Sequence, residues 1–402
     1  LVAITFATPE STQERSDQQR PANAGLAYLQ RTQCVGASTN RSFNLEQLAR
    51  PAVQKMHAYV PASGAGQTGR VIRLDMNESP YPASEHVRKA LAEFSGTNRY
   101  PSFDAREVSL AIAEYAGVPV EQIIPGAGLD DVLTTLFMTF IDPGDNIIIS
   151  EPTFGVYRML ASGLGADTID VPLTSDFELD AEAVLSAVND RTKIIIICTP
   201  NNPTGNNLDP AAIEHIVAHA PCVVAIDEAY MEFAGVTYLP LLEKYPNVVI
   251  LRTMSKFAGM AGMRVGYGIF TPEFVSVVGR VAPAFRNISM ASTVAVKAAL
   301  EDLPTLQANI ARIKADRDAL ANNLRELPGV EPLPSETNFI LVKVPVDDGG
   351  AIVRELARRG IMIRSFPHRN LRNYIRISIG TTEEHEVLLT ELADILGNEA
   401  SA

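Results

Sequence analysis

A single lysine, Lys256, lies between Arg252 and Arg264 in the stretch Thr-Met-Ser-Lys-Phe-Ala-Gly-Met-Ala-Gly-Met, which is otherwise small, apolar or hydroxylated. Desolvation there disfavours the charged ammonium and makes the amine a usable nucleophile. Arg264, eight residues on, is spaced to return to an anion held beside that amine. The plainer alternative is an exposed loop lysine. An acid, Asp227, ends the apolar run Val223-Val-Ala-Ile. Burying a carboxylate costs free energy unless it meets a cation. A protonated pyridine nitrogen would serve, and so would a helix-capping role that needs no ligand at all.

Two loops accompany these residues. Cys198-Thr-Pro-Asn-Asn-Pro-Thr-Gly205 offers the Asn202 amide on a turn fixed by Pro203 and Gly205, although a turn-rich loop alone explains it. Gly126-Ala-Gly128-Leu-Asp130-Asp131 precedes a helix, where free backbone N–H groups and the helix dipole favour an anion. A dinucleotide fingerprint needs a third glycine where Asp131 stands, and a simple helix cap fits as well.

Positioning these residues requires an α/β frame. Short β-branched runs at Asn146–Ser150, Thr168–Pro172, Lys193–Cys198, Val223–Asp227, Val248–Arg252 and Val265–Phe270 read as strands, several apolar at every position. Stretches of helical length, Asp130–Phe140 and Pro210–Ala220 among them, lie between. The expectation is a mostly parallel sheet with helices on both faces. Each motif follows a strand, so all converge on one cleft at the carboxyl edge. The last hundred residues change to a long helix, Leu303–Leu327, then Asn338–Val344, the helix Gly350–Arg359, and the strands Gly360–Arg364 and Asn373–Ile379. In the last of these, alternation sets Tyr374, Arg376 and Ser378 against three isoleucines. A guanidinium so directed suits bidentate carboxylate binding. Pairing of the two strands as a hairpin would bring Arg364 close to Arg376. Upstream, Phe43–Tyr59 reads as a short helix interrupted at Pro51, and Pro61–Gly69 as a loop.

Composition narrows the function. The 402 residues carry a net charge of −13, which opposes a nucleic-acid surface. The cysteines Cys34, Cys198 and Cys222 lie far apart with no CxxC, which argues against a zinc site or a disulfide framework. No apolar run approaches a bilayer span, and Leu1–Ala7 is too short for a signal segment. The expectation is a soluble, cytoplasmic protein.

Taken in order, Asn-Asn-Pro-Thr-Gly, Asp-Glu-Ala-Tyr and Ser-Lys-x(7)-Arg resemble those of fold-type I pyridoxal-phosphate aminotransferases, most closely the histidinol-phosphate aminotransferase group, from about Leu48 onward. Residues 1–43 include polar, aperiodic stretches, as expected of a flexible extension, and the resemblance implies an N-terminal arm and small-domain segment over 44–97. It further implies a large cofactor-binding domain over 98–300 and a small α+β domain over 301–402. It implies pyridoxal 5'-phosphate bound covalently to Lys256, which also moves the proton, with Asp227 on the pyridine nitrogen and Asn202 and Tyr230 on the phenolic oxygen. Phe154 matches the aromatic that stacks on the ring. Backbone groups of Leu129 and Asp130, with Thr253, Ser255 and Arg264, match the phosphate site. Tyr100 matches a tyrosine that reaches the neighbouring subunit's phosphate, which implies a homodimer with shared sites.

For the substrate, Arg376 matches the α-carboxylate arginine and Arg364 the arginine for a substrate phosphate. Asn77 and Tyr81 lie in the adjoining segment, with Ser79 where some relatives have a phosphate-binding tyrosine and Tyr81 as its stand-in. An aromatic amino-acid aminotransferase would replace the Arg364 subsite by an apolar pocket. A decarboxylase or lyase of a phosphorylated amino acid shares every cofactor residue. A cofactor-sensing regulator would need a basic DNA-binding domain that the first 43 residues do not supply.

Overall fold

Ile194–Ile197 is apolar at every position because both of its faces are covered. Ile194 and Ile196 pack into one core, and Ile195 and Ile197 into another on the opposite side of the sheet. The computed structural model describes residues 45–56 and 71–399. The expected extension over 1–43 and the loop Pro61–Gly69 lie outside the described residues.

In chain order the strands are β1 (Ile72–Arg73), β2 (Ile123–Gly126), β3 (Asn146–Glu151), β4 (Asp167–Pro172), β5 (Thr192–Cys198), β6 (Val223–Asp227) and β7 (Val248–Thr253). They continue with β8 (Gly266–Ile269), β9 (Glu331–Pro332), β10 (Phe339–Lys343), β11 (Ile361–Met362), β12 (Arg364–Ser365) and β13 (Tyr374–Ser378). A seven-stranded sheet runs β2-β8-β7-β6-β5-β3-β4, with β8 alone antiparallel to the rest. A smaller antiparallel sheet has the order β12-β13-β10-β9, and β1 pairs in parallel with β11. The α/β expectation holds, and the six strands read from β-branched runs appear within one residue of their expected ends.

Two expectations change. The segment Gly360–Arg364 is not one strand. Ile361–Met362 pairs with β1, and only Arg364–Ser365 continues beside β13. The short β1 needs partners for its backbone: Ile72 N–H donates to Gly360 O at 2.9 Å and Leu74 N–H to Met362 O at 2.7 Å. The chain crosses from one sheet to the other at Ile363, which is buried in the core. Around Pro51 the expected helix is two short ones, Leu45–Leu48 and Pro51–Gln54. Proline opens the second, where its missing N–H would have had no helical partner. The described residues from Ala49 onward form one compact unit, and the helix Leu45–Leu48 belongs to another. Among the described residues no helix is long and apolar enough to cross a membrane.

Candidate active site

The carboxyl ends of β2, β3, β5, β6 and β7 open on one side of the large sheet and deliver the residues singled out above. The helix Leu129–Phe140 begins at Gly128, whose φ of 87° suits glycine, and no side chain caps it. A Cβ at Gly128 would collide with the Arg264 guanidinium, and one at Gly266 with the backbone of Gly128 and Leu129. These glycines let the loop, the helix start and the arginine close together. Arg264 Nη2 lies 3.1 Å from Asp130 Oδ2. Thr253 Oγ1 donates to Ser255 Oγ at 3.0 Å and accepts from Ser255 N–H at 3.1 Å, so both hydroxyls sit at the end of β7. Asp131, where a dinucleotide loop would have glycine, turns back to accept from Ala127 N–H at 2.9 Å.

Lys256 follows that strand end. Its Nζ donates to Met76 O at 2.9 Å, and its pKa is lowered to about 8, first by burial and next by the Arg376 guanidinium. Asp227 is buried at the end of β6. Its Oδ2 accepts from the Tyr157 hydroxyl at 2.6 Å and its Oδ1 from Ala229 N–H at 3.0 Å. Burial pushes its pKa up to about 6 despite these two donors. Behind it, the buried pair of Arg252 Nε and Glu228 Oε2 at 2.8 Å ties β7 to the residue after Asp227. Glu232 beside that pair is pushed up to about 8 by burial.

Tyr230 is a meeting point of both sheets. Its hydroxyl accepts from Asn77 Nδ2 at 3.0 Å and Asn202 Nδ2 at 3.2 Å, which leaves its own proton free to be donated. Arg376 Nη1 donates to Asn202 Oδ1 at 2.6 Å, and Nη2 to Asp75 O at 2.6 Å. The polar face of β13 is therefore turned into the site; Arg376 and Ser378 are buried, like the isoleucines of the opposite face. Asn77, with φ of 52°, has its whole amide engaged inside the protein. Ser378 Oγ donates to its Oδ1 at 2.9 Å, and Asn338 Nδ2 to its backbone O at 2.9 Å. Asn77 thus fixes Tyr230.

Arg364 is partly buried and is the register partner of Arg376 in the β12–β13 pair. Directly opposed residues of an antiparallel pair share a face, so two guanidinium groups project to the same side. Phe154 meets Tyr157 edge to face, with ring centroids 5.5 Å apart. Tyr100 is 83% exposed and stacks on Phe285 at 5.0 Å. Tyr81 departs from expectation. Its hydroxyl donates to Asp316 Oδ2 at 2.6 Å, and the Arg312 guanidinium lies 4.4 Å from its ring centroid. Burial and Asp316 push its pKa up to about 12, so its donor serves the helix Leu303–Arg325 in place of a phosphate. The sequence reading gave no role to Tyr157, Asn338 or Ser378. Tyr157 stands three residues after Phe154, one helical turn away, which was the available signal.

Residues 69–392 match the aminotransferase class I and II family. The histidinol-phosphate aminotransferase of Roseiflexus castenholzii is 37% identical over 367 residues, which cover 87% of this chain and 98% of that protein. The chloroplastic histidinol-phosphate aminotransferase of Nicotiana tabacum is 36% identical over 352 residues, covering 85% of this chain and 84% of its own length. A crystal structure of histidinol-phosphate aminotransferase from Sinorhizobium meliloti in complex with pyridoxal-5'-phosphate superposes with a TM-score of 0.79 at 26% identity, over 91% of this chain and 100% of that one. The family match spans all three sheets and every strand whose end opens on the cleft, so the chain belongs to the class I and II aminotransferases and is a pyridoxal-phosphate-dependent aminotransferase.

Proposed function

We propose that this aminotransferase interconverts histidinol phosphate and imidazole acetol phosphate, with glutamate and 2-oxoglutarate as the second pair, in histidine biosynthesis. The observation that carries this reading is Arg364 directly opposite Arg376. Two guanidinium groups on one face can give charge-assisted hydrogen bonds to an anionic substrate group placed between them. The names of the relatives favour the same substrate.

The residues present fit pyridoxal phosphate. The uncapped helix start at Gly128, with Arg264 against it and two hydroxyls beside it, suits a phosphate. Asp227 is buried with a hydroxyl and a backbone N–H as partners, neither of them cationic, and suits a protonated ring nitrogen. When bound, the cofactor supplies an electrophilic carbon and a ring that takes up the electron pair left at the substrate carbon.

The chain's own residues do the rest. Backbone N–H groups of Leu129 and Asp130, with Thr253, Ser255 and Arg264, hold the phosphate. Lys256 Nζ would hold the cofactor covalently and, when released, would move the proton at the reacting substrate carbon. Asp227 would keep the ring nitrogen protonated. Asn202 and Tyr230 would hold the phenolic oxygen, and Phe154 would pack against the ring. Arg364 holds the substrate phosphate. Histidinol phosphate has no α-carboxylate, so Arg376 acts chiefly in the glutamate half-reaction.

Half-reactions with single donors test the substrate. Losing a charge-assisted contact costs roughly 10- to 150-fold in affinity. Arg364→Ala is expected to lose that much with histidinol phosphate and far less with phenylalanine, and Arg376→Ala to impair glutamate and phenylalanine more. If Arg364→Ala leaves the histidinol phosphate half-reaction unchanged and phenylalanine is the faster wild-type donor, the aromatic reading replaces this one.

We also propose a homodimer with shared sites, supported by the exposed Tyr100, whose ring stacks on Phe285 at the surface. Mixing impaired Lys256→Ala subunits with impaired Tyr100→Phe subunits is expected to restore activity through a hybrid dimer with one intact site. Absence of recovery after proven subunit exchange contradicts sharing.

A further inference from the structure

Tyr157 sits in the helix Val156–Leu164 and is fully buried, with its hydroxyl spent on Asp227 Oδ2 at 2.6 Å. The same ring lies edge-on to Phe154, 5.5 Å between centroids at 84°. One side chain therefore touches both the carboxylate and the aromatic that bracket the cofactor ring in the reading above. Cys198, the β5 residue registered against Asp227, also lies beside the phenol. Its thiol donates to Pro200 O at 3.5 Å.

We propose that Tyr157 is a positioning residue for transamination, donating its O–H to Asp227 so that the carboxylate stays ionised for the cofactor's ring nitrogen. This rests on the role given to Asp227 above. The groups that bear on Asp227 come from four elements. Burial, Asp130 at the start of the helix Leu129–Phe140 and the adjacent Glu228 disfavour its charge, and Cys198 adds a further weak acid nearby. Tyr157 and Ala229 N–H favour it. Of the two donors only Tyr157 comes from a side chain. Burial and the neighbouring carboxylate hold the phenol well above its ordinary pKa, so it remains a donor throughout the working pH range.

Removing the hydroxyl leaves one hydrogen bond against burial and two acids. Asp227 then protonates at higher pH than in wild type and loses its attraction for a cationic nitrogen. Tyr157→Phe keeps the ring that fills the buried slot and removes this one donor. Equilibrium binding of pyridoxal phosphate to the cofactor-free protein, followed from pH 6 to 9 by absorbance, tests this alongside Asp227→Asn. Tyr157→Phe is expected to weaken binding roughly 10- to 100-fold near pH 6.5, with the ratio to wild type shrinking as pH rises toward 9. A ratio that is constant across pH, or equal to one while Asp227→Asn binds poorly, overturns the inference and leaves the role of Asp227 standing. Asp227→Asn binding as tightly as wild type overturns the role of Asp227, and the inference with it.

Discussion

Lys256→Ala is expected to lose at least roughly 10⁴-fold in transamination, because covalent attachment and proton transfer both depend on one amine. No other lysine stands among the cleft residues described above, so none can take over either step. Single-turnover measurement with saturating donor isolates the chemistry from binding, and retention within tenfold of wild type contradicts the assignment. The lowered pKa adds a pH signature. An amine titrating at about 8 is mostly protonated at neutral pH, and only its neutral form attacks. Capture of pyridoxal phosphate by the cofactor-free protein is therefore expected to quicken about tenfold per pH unit below that value and to level off above it. A plateau delayed until about pH 10.4, the value of an ordinary lysine, would show that burial does not tune this amine.

Asp227→Ala is expected to bind cofactor more weakly than wild type and, once loaded at saturating cofactor, to turn over poorly. Removing one partner of a buried charge pair costs about 3–5 kcal/mol, which corresponds to roughly 10²- to 5 × 10³-fold in rate if the pair is needed at the transition state. Nearly normal turnover means that another group protonates the ring nitrogen. The cofactor-free protein should show the opposite side of the same burial. With its folded pKa at about 6, above the ordinary carboxylate value of 3.8, Asp227 binds more protons folded than unfolded between those values. Stability from this group therefore falls as pH rises through that window. The wild type's stability relative to Asp227→Ala should decline from pH 4 to 6 and stay constant above, as urea unfolding at stepped pH would show.

Much of this site was legible because its chemistry sits at the ends of strongly patterned elements. The unbroken isoleucines of β5 and the apolar β6 announce a doubly covered parallel sheet, and the loops after such strands converge whatever their own composition. Contacts between distant elements were not legible. Tyr157 and Asp227 are 70 residues apart, and neither the helix pattern of one nor the strand pattern of the other names its partner. The partner of Tyr81 was hidden for the same reason, since Asp316, which takes its hydroxyl, lies 235 residues away. Strands β1, β11 and β12 have two residues each, too few for a period to register. Their pairing is decided by which backbone edge lies free, a property of the assembled fold.

The central claim, that the cleft at the carboxyl edge carries pyridoxal phosphate on Lys256, is tested most directly by borohydride reduction of the loaded protein followed by peptide mapping. Reduction fixes the cofactor to the nitrogen that holds it. The expected result is a single labelled peptide with the label on Lys256; label on another lysine, or none while cofactor absorbance persists, contradicts the account.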